Sequence, residues 1–232
     1  MPSAVHMTYK RAMVYSRSFI GRAYDSVLFP LRAFFMGPVG YFGLTSMRDE
    51  RMGRAAQFCK GRVLDIGCGP GNLFITKFIG KDWGIGIDVY RYAGVENIVE
   101  DMANLPFPDA GFDTVSLIAV GGHIPQSARK REFIEFTRIL KSGGRLVMTE
   151  GEPITQYLWH AWQHLFLRLQ GKIDMDRERG MDDDEQYCMP KTELLSYLNT
   201  PPLRLVLIHS FQWHLNSVYV AEKFDFPSIA DE

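Results

Sequence analysis

The sequence predicts an α/β fold, in which a mostly parallel β-sheet carries helices on both faces. Short β-rich runs alternate with helical stretches from Arg62 onward, and a glycine cluster follows the first run. A later run, residues 114–120, is apolar enough to be a central strand covered on both sides. The chain has 232 residues, 46% of them hydrophobic, which suits one domain with a buried core.

The strands are predicted in a regular order along the chain. The first covers residues 63–66 and ends at the glycine cluster, and the second covers 83–87 and stops at Asp88. A short third strand is expected at 97–99. The other strands are predicted at residues 114–120, 145–149, 203–209 and 213–221.

A helix is predicted between the fourth and fifth strands, over residues 128–140. A Ser-Gly-Gly sequence at 142–144 is expected to end it. Its apolar residues are expected to form one stripe, made of Phe133, Phe136 and Leu140. Its arginines are expected on other faces of the helix: Arg129, Arg131 and Arg138.

The chain divides into a helical N-terminal segment, residues 1–61, and a main domain, residues 62–232. The N-terminal segment is rich in aromatic residues, which predicts either a lid over a ligand pocket or a completed core, and we favour the lid. Within the main domain, residues 152–190 are an insertion with a helix over 154–169 and an acidic loop at 182–185. We expect the acidic loop to be solvated rather than to bind a cation. His160 and His164 are expected on the polar face of the inserted helix.

Composition excludes several classes of protein. Lys and Arg number 26 against 27 for Asp and Glu, so the chain has no basic excess of the kind that nucleic-acid binding favours. The three cysteines lack metal-ligand or disulfide spacing, which argues against a metal centre and suits a reducing compartment such as the cytoplasm: Cys59, Cys68 and Cys188.

No segment predicts a membrane span or a secretory signal. The most apolar stretch is interrupted by Asp25, Pro30 and Arg32, and a span needs about 20 apolar residues. We therefore expect a soluble protein, with peripheral membrane contact at most. The oligomeric state is left open.

The glycine-rich loop lies in the sequence VLDIGCGPG, residues 63–71. Glycines there let a ligand approach the backbone, and the N–H groups of a following helix can meet an anion. Asn72 stands where a dinucleotide fingerprint would have its third glycine, so that fingerprint is incomplete. Asp65, just before the loop, would repel a pyrophosphate and attract an ammonium group.

Two later acidic positions fit a nucleoside. Asp88 follows the loop by about 20 residues, where a carboxylate can accept hydrogen bonds from ribose hydroxyls. Asp101 and Met102 precede the sequence Leu-Pro-Phe at 105–107. A carboxylate at Asp101 can accept from an adenine amino group while its apolar neighbours cover the ring.

Together these motifs resemble those of the class I, Rossmann-like S-adenosylmethionine-dependent methyltransferases. The resemblance covers roughly residues 62–223 and rests on VLDIGCGPG, GIGIDVY, EDMANLPFPDAGFDTV and ILKSGGRLVMTE, in that order. It implies the sheet order 3-2-1-4-5-7-6 with the last strand antiparallel. It also implies S-adenosylmethionine as cofactor, S-adenosylhomocysteine as product and no metal. Only residues 89–100 separate the two acidic positions, so the helix that usually follows the second strand should be shortened or lost.

The resemblance implies cofactor contacts around the methionine moiety, the ribose, the adenine and the stretch after the fourth strand. The residues are Asp65, Gly67, Cys68, Gly69, Gly71, Asp88, Val89, Asp101, Met102, Ala119 and Val120.

The expected activity is methyl transfer to O, C or N of a hydrophobic or aromatic small molecule. Short sequences resemble the branch that includes the ubiquinone and menaquinone biosynthesis enzymes: Ala-Tyr-Asp at 23–25, Glu-Gly-Glu-Pro-Ile at 150–154, and Tyr187 before Pro190. The chain lacks the Asn/Asp-Pro-Pro-Tyr/Phe motif of enzymes that methylate planar amino groups, so we expect no nucleic-acid substrate. Ala119 stands where a metal-dependent enzyme would place a carboxylate.

His123 and Tyr24 are the candidate catalytic residues. A neutral imidazole near pH 7 can accept a proton from a hydroxyl or an activated carbon. The alternative for His123 is a capping or core role. Two other functions remain open: a cofactor-binding subunit without turnover, and another S-adenosylmethionine chemistry such as cyclisation or aminopropyl transfer.

Overall fold

A seven-stranded sheet forms the centre of the chain in the computed structural model, which describes residues 17–35, 42–153, 157, 161, 184–186 and 188–225. The strand order is β3-β2-β1-β4-β5-β7-β6. β1 to β5 pair in parallel, and β7 is antiparallel to both neighbours. This confirms the predicted Rossmann-like order. The strands are β1 (Val63–Ile66), β2 (Gly84–Asp88), β3 (Asn97–Ile98), β4 (Phe112–Ile118), β5 (Leu140–Gly151), β6 (Leu203–Phe211) and β7 (Asn216–Lys223).

Helices cover both faces of the sheet because side chains of the buried strands alternate between two apolar cores. The helices are α1 (Phe19–Val27), α2 (Phe29–Phe35), α3 (Met47–Ala56), α4 (Gln126–Ile139) and α5 (Lys191–Leu198). Leu64 and Ile66 of β1 belong to the larger core, together with residues of α4 and α5. Val63 belongs to the smaller core, together with residues of α3 and of the segment 74–79. Among the described residues, no helix is both long and apolar enough to cross a membrane.

Two segments at the glycine loop depart from a regular α-helix. A 3₁₀ turn at Pro70–Asn72 and a π-helical stretch at Phe74–Ile79 stand where an α-helix was expected. Gly71, at φ +76°, lies inside the turn and breaks the helical path. The structure has no helix between β2 and β3, which confirms that the helix after the second strand is lost.

The prediction for the arginines of α4 is wrong at Arg129. This side chain is completely buried, four residues before Phe133 and on the same face. Its guanidinium donates to the Ile124 carbonyl at 3.0 Å and to the Glu193 carboxylate at 2.7 Å. Burial of Arg129 is tolerated because these partners satisfy its charge and its N–H groups.

Two strand boundaries also differ from the prediction. α4 ends at Ile139, and β5 continues through the Ser-Gly-Gly sequence with Gly143 at φ +68°. β7 begins at Asn216 rather than at 213, because Gln212, Trp213 and His214 all have positive φ and form the turn from β6. The inserted helix predicted at 154–169, with His160 and His164, lies outside the described residues except at two positions.

The N-terminal helices are joined to the turn between β6 and β7. Phe29 is 4% exposed, and its ring lies 5.7 Å from that of Trp213, whose indole N–H donates to the Ser26 carbonyl at 2.9 Å. The buried Arg32 guanidinium donates to the Thr45 carbonyl at 2.8 Å. α3 lies before the predicted boundary at residue 61, yet it packs on the sheet itself.

A chain of buried and half-buried polar side chains extends this junction to the end of the sheet. The Arg32 guanidinium meets the Glu50 carboxylate at 2.8 Å, and the Gln212 amide donates to Glu50 at 3.3 Å. Asn216 donates to Gln212 at 2.7 Å and accepts from Arg51 at 2.9 Å. The helices α2 and α3 and the β6–β7 pair therefore share one hydrogen-bonded network, which we call the polar chain.

Asp65 lies in β1, and its buried carboxyl group contacts Ser116 of the neighbouring strand β4. The residue is 2% exposed, and the Ser116 hydroxyl of β4 donates to its Oδ1 at 2.6 Å. Burial raises the pKa of Asp65 to about 7; the Ser116 hydrogen bond opposes this shift and the charge of Asp88 adds to it. The folded chain therefore retains a proton here that the unfolded chain releases at lower pH.

We expect Asp65→Asn to flatten the dependence of stability on pH. A raised carboxyl pKa stabilises the fold at low pH, and this contribution is lost as the pH rises towards 7. The variant does not titrate at this position, so it should remove roughly 2–3 kcal/mol of the fall in unfolding free energy between pH 5 and pH 8. Urea unfolding at both pH values measures the fall. Glu96→Gln, at a side chain 82% exposed, is the control and should change nothing. An equally steep fall in Asp65→Asn would contradict the assignment.

Candidate active site

A large cleft opens at the carboxyl ends of β1, β2 and β4, the edge where open α/β sheets bind ligands. We call it the main cleft; its volume is about 830 Å³, within the range of roughly 300–1,000 Å³ typical of small-molecule sites. The glycine loop forms one wall and the segment after β4 forms another. Eight of the eleven predicted cofactor residues line it: Gly67, Gly69, Asp88, Val89, Asp101, Met102, Ala119 and Val120.

Two glycines shape the wall beside β1. Gly67 has φ +65°, and a Cβ at this position would lie 2.7 Å from Cγ2 of Val120. Gly69 has φ +63°, and no atom lies within 4 Å of where its Cβ would be. The loop thus brings bare backbone to the cleft at Gly69, which is the space a closely bound ligand would use.

Asp88 joins the end of β2 to this loop. Its Oδ2 accepts from the Gly69 N–H at 2.9 Å and its Oδ1 accepts from the Tyr90 N–H at 3.0 Å. The residue is 5% exposed and lines the main cleft. Each carboxylate oxygen can accept a second hydrogen bond, so Asp88 retains capacity for a ligand hydroxyl.

Residues 89–96 form a loop that lies against the glycine loop instead of a helix. The Gly71 N–H donates to the Ala93 carbonyl at 2.7 Å, and a Cβ on Gly94 would lie 2.9 Å from Cα of Gly71. This contact turns Tyr90 and Tyr92 to the cleft, with ring centroids 5.9 Å apart. The loss of the helix therefore supplies aromatic lining that the sequence did not predict.

Acidic groups gather where the main cleft meets α4. Met102 is 7% exposed, and the Asp101 Oδ1 accepts from the Ala103 N–H at 3.0 Å. Glu132 of α4 is 9% exposed, and burial raises its pKa to about 7, to which the neighbouring Asp101 carboxylate adds. These carboxyl groups suit the amino group of a base such as adenine.

Three predicted cofactor residues do not line the cleft. Asp65 faces Ser116 inside the sheet layer, because successive side chains of a strand alternate in direction. Cys68 is 7% exposed and its N–H donates to the Ile87 carbonyl at 3.0 Å. Gly71 lies under the 89–96 loop. The Asp65 carboxyl group contacts Ser116, and the Cys68 and Gly71 N–H groups bond to the neighbouring backbone.

The wall beyond β4 begins with a left-handed residue, Ala119, at φ +59°. Its N–H donates to the carbonyl and hydroxyl of Thr149 at 3.1 Å and 3.0 Å. A 3₁₀ turn at Gly121–His123 follows. A Cβ on Gly122 would lie 2.3 Å from the Gln186 carbonyl oxygen, so this turn requires glycine for close packing.

Glu150, near the end of β5, is buried behind this turn. It is 5% exposed, and a Cβ on Gly121 would lie 2.2 Å from its Oε1. Burial raises the pKa of Glu150 to about 7, against the effect of the Arg51 charge. Within the described part of the chain, Oε1 of Glu150 and Nε of Arg51 are buried without hydrogen-bond partners.

The two predicted catalytic residues are not brought together. His123 lines the main cleft, and its Nδ1 lies 3.4 Å from Oε2 of Glu185. Tyr24 lies on α1, is 45% exposed, and is not among the described residues that line the cleft. The structure therefore places His123 at the wall of the main cleft and Tyr24 on α1, outside the described lining.

The structure describes two residues of the acidic loop, Asp184 and Glu185, and the expectation of a solvated loop is wrong at Glu185. Glu185 has a side chain only 5% exposed, in contact with His123. Asp184 accepts from the hydroxyl of Ser127 at 2.6 Å and from its N–H at 3.1 Å, at the start of α4. Over the residues described, no three His, Cys, Asp or Glu side chains form a group that could hold a metal ion.

Sequence reasoning missed several residues that line the cleft. Ala128, Arg131 and Glu132 share one face of α4 at helical spacing, so their pattern could have indicated them. Glu185 carried no such signal, because it lies 62 positions from His123 in the sequence.

Comparisons with known proteins agree with this geometry. Residues 64–148 match the family model described as a methyltransferase domain. Probable tRNA methyltransferase 9B of Mus musculus is 33% identical over 115 residues, which are 45% of this chain and 26% of that protein. The 2-methyl-6-phytyl-1,4-hydroquinone methyltransferase of Synechocystis sp. is 28% identical over 131 residues, 44% of this chain and 40% of that one.

The chain spans no more than half of the length of the curated relatives it matches. Among solved structures, a SAM-dependent methyltransferase of Thermotoga maritima is 16% identical with a TM-score of 0.54, and the match covers 87% of this chain and 95% of that one. This likeness shows a shared fold. Residues 64–148 therefore match a methyltransferase domain, and the chain has the fold of a SAM-dependent methyltransferase.

Proposed function

We propose that this protein transfers a methyl group from S-adenosylmethionine to O, C or N of a hydrophobic or aromatic small molecule. One observation carries the proposal: a single cleft collects a bare glycine wall, the carboxylates of Asp88 and Asp101, the apolar Met102 and the ring of His123. The glycine wall, the two carboxylates and Met102 match the parts of a nucleoside that ends in an amino acid, and the ring of His123 remains for an acceptor bound beside it.

The residues of the main cleft fit the cofactor. Asp88 would accept from the ribose hydroxyls, and Asp101 and Met102 would hold the adenine. Gly69 has open space above its Cα, which the methionine moiety would fill. The bound cofactor supplies an activated methyl group on a sulfonium, so the protein mainly has to orient the acceptor and exclude water.

The charge of the cleft favours a small-molecule acceptor over a nucleic acid. The described residues that line it include five carboxyl groups, Asp88, Glu100, Asp101, Glu132 and Glu185, against two guanidinium groups, Arg91 and Arg131. A phosphate backbone would be repelled by this excess, whereas tRNA-binding surfaces are basic. Tyr90 and Tyr92 add aromatic surface suited to an apolar ligand. The likeness to a hydroquinone methyltransferase supports a small-molecule acceptor. The likeness to a tRNA methyltransferase makes tRNA the competing acceptor.

The N-terminal segment is the proposed cover of the acceptor. Phe19, Ile20 and Val27 of α1 are 77%, 80% and 73% exposed, an apolar surface that a lipophilic acceptor or a membrane surface would bury. α3 is excluded from a lid role because it packs on the sheet. The three cysteines are free, which suits a reducing compartment such as the cytoplasm.

We expect the protein to bind S-adenosylhomocysteine with micromolar affinity, measured by titration calorimetry, and Asp88→Ala to weaken it. Loss of the charged acceptor should cost ~1–3 kcal/mol, roughly a 5- to 150-fold increase in Kd. Asp82→Ala is the matched control, because its exposed carboxylate lies just before the opposite end of β2. No binding by the unaltered protein at millimolar ligand would refute the cofactor assignment.

We further expect transfer of label from methyl-tritiated S-adenosylmethionine to a small apolar probe. A prenylated 2-methyl-1,4-hydroquinone, an alkyl amine and total tRNA are incubated separately with the protein, and products are counted after extraction. Label in the hydroquinone or amine supports the proposal. Label in tRNA alone would show that the acidic cleft does not exclude nucleic acid, and binding without any transfer would favour a cofactor-binding subunit.

A further inference from the structure

His123 and Glu185 form a contact that the assigned cofactor residues do not use. Both side chains line the main cleft, with His123 Nδ1 3.4 Å from Glu185 Oε2. The carboxylate is 5% exposed and the imidazole 26%. A shielded carboxylate beside a partly exposed ring is an arrangement that fixes which ring nitrogen bears the proton.

Backbone pairing sets this contact. The Gln186 N–H donates to the Gly122 carbonyl at 2.9 Å, and the Gln126 N–H donates to the Asp184 carbonyl at 3.1 Å. Each bond joins a residue next to Glu185 to the chain around His123. The short distance from the Gly122 position to Gln186 leaves no room for a side chain between the two segments. Glu185 is therefore held opposite the imidazole by main-chain geometry.

We propose that His123 is the general base of the reaction, that Glu185 is its positioning residue, and that the acceptor atom is a hydroxyl oxygen. This inference rests on the proposed function. The Glu185 carboxylate keeps the proton on Nδ1, so Nε2 carries the lone pair. During transfer the acceptor O–H bond breaks and its proton passes to Nε2. The oxygen pair forms the new O–C bond, and the C–S bond breaks with its electrons going to sulfur, leaving the neutral thioether. The resulting imidazolium is stabilised by Glu185.

The chemistry of the pair favours a hydroxyl over an amine as the acceptor. A neutral amine already presents a lone pair and needs no base before it attacks. A hydroxyl of a phenol or hydroquinone becomes a strong nucleophile as its proton leaves, and an imidazole is a base suited to that step near neutral pH.

Measuring which ring nitrogen of His123 bears the proton tests the positioning role of Glu185, and it requires no methyl acceptor. Nitrogen-15 NMR of the protein with bound S-adenosylhomocysteine should show His123 protonated on Nδ1 when neutral. Glu185→Gln keeps an acceptor oxygen and should retain this tautomer, whereas Glu185→Leu should lose it. Asp184→Asn, which removes the neighbouring charge that contacts Ser127 and keeps Glu185, is the control and should retain it. A neutral ring protonated on Nε2 in the unaltered protein, or no change in Glu185→Leu, would overturn the role of Glu185.

Turnover with the prenylated hydroquinone tests the base itself. His123→Gln should lower the methylation rate about 100-fold. Glu185→Leu should lower it by tenfold or more, Glu185→Gln should recover much of the loss, and the Kd for S-adenosylhomocysteine should stay unchanged in all three. An unchanged rate in His123→Gln, or label entering only the alkyl amine, would overturn this inference while leaving methyl transfer in place. Failure to bind S-adenosylhomocysteine would overturn the proposed function instead.

Discussion

The carboxylate of Asp88 is the contact on which the cleft depends. Its two oxygens accept one N–H from the glycine loop and one from the residue two positions further along the chain. One side chain thereby fixes both segments that border the end of β2. Because the residue is nearly buried, these charge-assisted hydrogen bonds operate in a low-dielectric setting, where they are strong. The glycine loop and the 89–96 loop then pack on each other through Gly71 and Gly94 without any intervening helix.

The strand order and most of the cleft follow from local features of the sequence. Buried strands such as β1 are short apolar runs bounded by glycine, and their succession determines a parallel sheet. The positions directly after the strands lie at one edge of such a sheet, which is why Asp88 and Ala119 could be predicted to line the cleft. Asp65 was assigned to the ligand from its position next to the loop. In the structure its side chain contacts Ser116 of β4. The spacing of motifs along the sequence does not determine to which face of the sheet such a side chain points.

The remaining differences come from tertiary contacts that a local pattern does not contain. Arg129 is buried because Glu193, 64 residues later, accepts its charge. Glu185 contacts His123 because a segment near the end of the insertion, residues 184–186, pairs with the chain around the turn after β4. The run of positive φ values at residues 212–214 is adopted by Gln, Trp and His, none of which marks a turn as glycine would.

The polar chain has a consequence for how the molecule opens. It connects α2 and α3 to the β6–β7 turn and to β7, and the charge of its member Arg51 acts on Glu150. Removing any one of these buried groups leaves another without its partner, which is costly in a low-dielectric interior. α2 and α3 are therefore bonded to the sheet and should not open as an independent flap. Their backbone amides should exchange with solvent in the same cooperative unit as those of β7, and any movement of α1 and α2 must keep Arg32 in place.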